Sequence, residues 1–157
     1  MKKAILFLCV LLFVPSLSSG QSRSAGQGYA FGAIGATAPD PYGPLYHFGV
    51  GGEGFVYKNV GAGGEIGFLT SEFRDVLGVF SANGSYHFQP HKKWDPFVTA
   101  GYTLLFREET ANFFNLGGGT NYWIRDNLGL RMEFRDHINR EYGTYHLLQL
   151  RLGLSFR

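Results

Sequence analysis

Six charged residues stand inside segments that are otherwise apolar or glycine-rich: Glu53, Glu65, Arg131, Glu133, Arg135 and Arg151. Carboxylates and guanidiniums in such surroundings can shuttle protons, guide an ion, or neutralise one another as structural pairs. Other groups offer less. His47, His87, His91, His137 and His146 have no spacing typical of metal ligands; His47 and His87 share the face of the charges and are expected to join them in a polar network. Glu108 and Glu109 resemble paired carboxylates, but adjacent residues of a strand point to opposite faces. The glycine-rich stretches 49–54, 61–67 and 117–119 precede no helix, which a phosphate-binding loop requires. The only cysteine, Cys9, lies in the N-terminal segment, leaving no thiol for disulfides, metal binding or nucleophilic attack beyond it. No metal site, cofactor or catalytic residue is therefore expected.

The elements that carry the six charges show a two-residue period. In the segment 128–138, Leu128, Leu130, Met132 and Phe134 alternate with Gly129, Arg131, Glu133 and Arg135. In 144–157, Leu148, Leu150, Leu152, Leu154 and Phe156 alternate with Gln149, Arg151, Gly153 and Ser155. Alternation of this kind marks a β-strand with two unlike faces. Strands are predicted at 27–37, 45–57, 60–70, 76–88, 94–107, 112–124, 128–138 and 144–157. Their length suits a tilted strand crossing a membrane, which takes about 9–11 residues. The apolar face is the bulkier one, and the other face carries Gly, Ser, Asn, Thr and charge. The apolar face is therefore expected outside, against lipid, with the polar face lining a lumen.

The N-terminus fits an exported protein. Lys2 and Lys3 precede an apolar stretch from Ala4 to Val14, followed by small and polar residues up to Gly20. Residues 1–20 are predicted to be a cleaved signal peptide, and residues 27–157 a single β-barrel domain. Aromatic content of 17% and 23 glycines fit β architecture, while a net charge of +2 without basic clusters gives no reason to expect nucleic acid.

Turn lengths set a register. From the second strand onward the outward set falls on even numbers, so each connection needs an odd number of residues. Three-residue hairpins at 57–59 and 125–127 would pair Val56 with Val60 and Ile124 with Leu128, with Asn59 and Asn127 in the left-handed conformation. Glu53 then faces Gly63, Glu65 faces Gly51, Glu133 faces Gly119, Arg135 faces Gly117 and Arg131 faces Asn121. An eight-stranded barrel has an interior just wide enough for side chains to fill it, and glycine opposite each long side chain makes room. The six charges, three of each sign, are expected to pair across the lumen. Their favoured role is structural filling; a narrow gated ion path is the alternative. Interfacial aromatics are expected at Tyr46, Tyr57, Phe68, Phe88, Trp94, Phe106, Phe114, Tyr122, Trp123 and Tyr145.

With the strands placed, the chain resembles the small bacterial outer-membrane β-barrels of the OmpA/OmpX type. The resemblance is carried by 94–102 (WDPFVTAGY), by 117–135 (GGGTNYWIRDNLGLRMEFR) and by the closing segment Leu152-Gly153-Leu154-Ser155-Phe156-Arg157. It implies an eight-stranded antiparallel up-and-down transmembrane barrel in the bacterial outer membrane. Implied partners are outer-membrane lipid, lipopolysaccharide and the barrel-assembly machinery, and a monomer is expected. It also implies a structural or envelope-maintaining role; because the chain stops with the barrel, no appended peptidoglycan-binding domain is expected. Both termini and the turns at 57–59, 89–95 and 125–127 would face the periplasm. The short loops near 38–44, 71–75, 108–111 and 139–143 would face outward, and their brevity argues against a receptor or adhesin.

Two other readings are weaker. Lipid A deacylases also use a small barrel and carry a His-x-Ser-Asn motif. The nearest match is His137-Ile138-Asn139, where the nucleophile position holds Asn139, which cannot attack an ester. Neither Asp136 nor Glu141 repairs that loss, so no enzyme is expected. A soluble lipocalin-like barrel would need bulky apolar side chains inside, which the inward Glu and Arg residues oppose.

Overall fold

In a computed structural model, eight antiparallel strands close into one barrel, each paired with its neighbours in sequence and β8 returning to β1. The strands are β1 (Gly26–Ala38), β2 (Leu45–Tyr57), β3 (Val60–Ser71), β4 (Asp75–His87), β5 (Trp94–Phe106), β6 (Thr110–Arg125), β7 (Leu128–Asn139) and β8 (Tyr145–Phe156). The structure describes residues 26–39, 43–71, 75–90, 92–140 and 144–157. The expected leader at 1–20, His91 and Glu141 lie outside them.

Strand formation follows from side-chain shape. The outward positions are rich in β-branched and aromatic residues, which suit an extended backbone. Val50, Ile66, Phe80, Val98, Leu116, Leu130, Met132 and Phe134 are exposed, while Glu65, Ser81, Thr99, Arg131, Glu133 and Arg135 are buried. Even numbers point out and odd numbers point in. The exceptions Tyr57, Thr70, Asp75, Arg125 and Tyr145 sit at or near strand ends. A continuous apolar exterior around a closed sheet leaves no backbone group unpaired in hydrocarbon, the condition for spanning a bilayer.

The register of the barrel wall pairs Glu53 with Gly63, Glu65 with Gly51, Glu133 with Gly119, Arg135 with Gly117 and Arg131 with Asn121. The turns differ from expectation. Val60 pairs with Tyr57 rather than Val56, and Leu128 with Arg125 rather than Ile124. Each connection is a two-residue turn, and a bulge beside it absorbs the extra residue, between Phe55 and Tyr57 and between Trp123 and Arg125. Among the described non-glycine residues only Lys58 has a left-handed backbone, at φ 44°, so the left-handed conformation expected at Asn59 and Asn127 is absent. Backbone bonds tie these turns to their surroundings: His87 N donates to Asn59 O at 2.8 Å, and Arg157 N, just past β8, to Asn127 O at 3.4 Å.

Glycines divide by face. A Cβ on Gly51 would meet the Tyr29 ring at 2.7 Å and Glu65 Cγ at 2.8 Å. Gly63 and Gly119 face the backbones of Glu53 and Glu133, each 2.8 Å from where a Cβ would stand. Inward glycine is thus the space that long side chains opposite it occupy. Outward Gly64 and Gly84 have nothing closer than 3.4 Å and 3.9 Å.

Candidate functional site

The inward residues of the strands converge on one ion-paired assembly in the middle of the lumen. Glu65 and Glu133 are its hubs. Glu65 Oε2 accepts from Arg135 Nη1 at 2.7 Å and from Arg151 Nη2 at 3.0 Å, while the Tyr29 hydroxyl donates to Oε1 at 2.8 Å. Glu133 Oε1 accepts from Arg135 Nε at 2.5 Å and Arg151 Nη1 at 3.2 Å, and Arg135 Nη2 also reaches it. Glu133 Oε2 accepts from Arg131 Nε at 3.2 Å. Residues two apart on β7 share a face, so Arg131, Glu133 and Arg135 reach one another directly. Arg151 comes from the neighbouring β8, directly opposite Glu133, while Tyr29 on β1 and Glu65 on β3 reach in from further round the barrel.

Glu53 holds the turn side of the assembly. It lies 3.7 Å from Arg131 Nη1 and 3.2 Å from His87 Nε2, and it accepts from Gln27 Nε2 at 2.5 Å and from the Ser85 hydroxyl. His87 Nδ1 in turn lies 2.7 Å from Asp95 Oδ2. The structure therefore brings all six sequence-derived charges into one connected group; His87, expected on the lumen face, joins it, and Asp95 is added. Between its two carboxylates His87 carries the chain of polar contacts to the turn-side mouth. Asp95 sits directly after Trp94 at a strand start, and its odd number was the signal that it points inward.

Aromatic rings complete the packing. The Arg131 guanidinium stacks between Tyr29 and Phe97, at 4.2 Å and 4.0 Å from their centroids, and Arg151 lies 3.6 Å over Phe31. Stacking of this kind satisfies the faces of a guanidinium whose edges are engaged by carboxylates. Trp123, expected at the lipid interface, instead points inward with 3% exposure, and the Arg157 guanidinium caps it at 4.0 Å. Its odd number marks it as inward.

Toward the loop side the lumen changes character. Ser81, Thr103, Asn115 and His137 form a neutral hydrogen-bonded layer around Thr103 Oγ1, at 2.8, 2.9 and 3.2 Å. His47 Nδ1 lies 3.1 Å from Gln149 Oε1. Beyond them Leu69, Val79 and Leu147 form an apolar cluster with Leu45, Leu77 and Leu105. The expectation of a wholly polar lumen face is corrected here: odd-numbered leucines and valine turn inward and close the loop-side end. The gap between the His47 and His137 layer and this cluster has no room for a water molecule.

His137 is buried against Thr103, whereas Asp136 is on the opposite face of β7 and pairs with His146 Nδ1 at 2.7 Å. Asn139 Nδ2 donates to the Asn112 carbonyl at 2.8 Å. Among the described residues no group of His, Cys, Asp and Glu is arranged to hold a metal ion.

Solved structures share this architecture. Neisserial surface protein A aligns with a TM-score of 0.70 at 12% identity, covering 85% of this chain and 97% of that one. The N-terminal β-barrel domain of Pseudomonas aeruginosa OprF aligns at 0.64 with 18% identity, covering 83% and 96%. This chain has the fold of the small outer-membrane barrels. Designed transmembrane β-barrels are also similar, with a TM-score of 0.59, 15% identity and 83% and 93% coverage. At these identities the likeness is one of fold, which a designed sequence can reach as well as a natural one. No family model matches the chain, and no curated protein does.

Proposed function

We propose that the chain is an integral protein of the bacterial outer membrane whose barrel is a closed structural element of the envelope, neither an open pore nor an enzyme. The single observation that carries this reading is the continuity of the lumen filling. Ion pairs and stacked rings occupy the turn side and centre, a neutral hydrogen-bonded layer follows, and an apolar cluster closes the loop side. A conducting path needs a chain of water or mobile ions, and buried guanidiniums locked between carboxylates leave neither. An open barrel of this size would require removing side chains from the strands themselves, because eight strands enclose little more than side-chain volume.

Residues 1–20 act in this reading as a signal peptide that is removed on export, and lipid contacts the apolar exterior. The barrel works as a monomer, inserted by the barrel-assembly machinery, with its tight turns in the periplasm and lipopolysaccharide around the loop side. Export fits the charged start, apolar core and small-residue end of that segment.

The experiment is planar-bilayer recording with detergent-purified protein. The wild-type chain should give no channel events, and Arg131→Ala, which removes a central stacked cation, should give small, irregular openings. Regular channel events from the pure wild-type protein would overturn the closed-barrel reading.

A further inference from the structure

The two rims of the barrel differ in charge. At the turn side Lys58, Lys92, Lys93 and Arg125 are exposed, and among the described residues none has a carboxylate within ion-pairing distance. The one exposed acidic side chain beside them is Asp126, whose backbone carbonyl accepts from Arg157 Nε at 2.7 Å. At the loop side the exposed Arg107 is already paired with Asp75 at 2.9 Å, Glu108 and Glu109 lie exposed next to it, and Arg140 is exposed at the end of β7.

The free cations also share their rim with a collar of outward aromatic side chains. Tyr57, Tyr86, Phe88, Trp94 and Tyr122 are exposed there. Trp94 and Tyr122 meet edge to face at 6.0 Å, and so do Tyr86 and Phe88 at 5.2 Å. Lys58 Nζ stands 5.1 Å over the Tyr57 ring, and Lys93 Nζ 5.3 Å over Tyr122. Tyr and Trp rings of a membrane protein settle at headgroup level, between hydrocarbon and water. A lysine held over such a ring keeps its stem along the apolar surface and its ammonium among the headgroups.

We propose that this turn-side rim is a binding surface for anionic phospholipid headgroups. The fit is one of charge and depth together. A phosphodiester with no compensating cation of its own finds unpaired ammonium and guanidinium groups at the level where the rings place it. A zwitterionic headgroup brings its own cation and gains less. The loop-side rim, with Arg107 engaged, Arg140 the lone described cation without a carboxylate partner and its acids exposed, offers no equivalent cluster. The inference rests on the reading of the barrel as membrane-spanning.

The test is native mass spectrometry of the mature protein released from mixed micelles holding equal amounts of phosphatidylglycerol and phosphatidylcholine. Phosphatidylglycerol should be retained roughly tenfold over phosphatidylcholine, the ratio expected from one or two cation contacts near a surface. In a variant carrying Lys58→Gln, Lys92→Gln, Lys93→Gln and Arg125→Gln the preference should vanish. Because all four side chains are exposed, that variant should keep the heat-modifiable gel mobility of a folded barrel. Arg107→Gln at the other rim should leave the preference intact. Equal retention of both lipids by the wild-type protein would overturn the proposal, as would a preference that survives the fourfold variant. Displacement of phosphatidylglycerol from the rim by added lipopolysaccharide would overturn it too. A wild-type chain that fails to enter phosphatidylcholine vesicles in a flotation assay would instead remove the membrane-spanning reading beneath it.

Discussion

Two stretches of one lumen are filled by opposite chemistries. Around Glu65 and Glu133 the filling is ionic, with each carboxylate shared by arginines and each arginine engaged by carboxylates or rings. Around Leu69, Val79 and Leu147 it is apolar, like the core of a soluble protein. The contrast shows why inward charge in a narrow barrel comes as a group. A single buried ion costs several kcal/mol in lost hydration, and only a closed set of partners offsets it. The apolar cluster needs no such partners, so it can close the loop side with ordinary packing.

The sharpest way to break the ionic stretch is to remove one of its hubs. Glu133→Gln would leave the guanidiniums of Arg131, Arg135 and Arg151 short of a counter-charge, and should destabilise the barrel by about 3–5 kcal/mol. Urea unfolding in vesicles, followed by tryptophan fluorescence, measures it. The apolar stretch should yield less for the same kind of deletion. Leu147→Ala removes packing around Val79 and Leu69 and should cost about 2 kcal/mol, the lower end for a buried leucine, because a small cavity at a mouth can partly collapse. A loss at Leu147 as large as that at Glu133 would erase the distinction between the two stretches.

The glycines give a finer comparison. Gly119→Ala would push a methyl against the backbone of Glu133, beside the ionic hub, and should cost about 1–3 kcal/mol. Gly84→Ala on the lipid face meets nothing within 3.9 Å and should change stability by less than about 0.5 kcal/mol. Both are read from the same unfolding curves.

Much of this contrast was legible in the residue order. The parity rule places Arg131, Glu133 and Arg135 on one face because the side-chain period of a strand is two, and a register set at one hairpin propagates along the wall. Opposing Glu65 with Gly51 needed no more than that. The turns were harder to read. A three-residue loop and a two-residue turn with an adjacent bulge consume the same number of residues, so counting cannot separate them, and the left-handed residue fell on Lys58 instead of Asn59. The apolar cluster was overlooked for a different reason. Leu69, Val79 and Leu147 look like ordinary strand residues, and only their odd numbers distinguish them from lipid-facing neighbours. Trp123 was misplaced in the same way, because residue type was weighed above parity. His87 follows the parity rule onto the lumen face as expected, and Asp95 obeys the same rule at a strand start beside a turn.

The central claim, that oily side chains face hydrocarbon while the lumen is sealed, has a direct test because the chain contains two tryptophans, one on each side of the wall. Trp94 is 56% exposed on the outside and Trp123 is 3% exposed inside. Each can be read alone, in Trp123→Phe and in Trp94→Phe, in vesicles of lipids brominated along the acyl chain. The account predicts strong quenching of Trp94 and little of Trp123, with Trp123 also shielded from iodide in the water. Strong lipid quenching of Trp123 with none of Trp94 would contradict it.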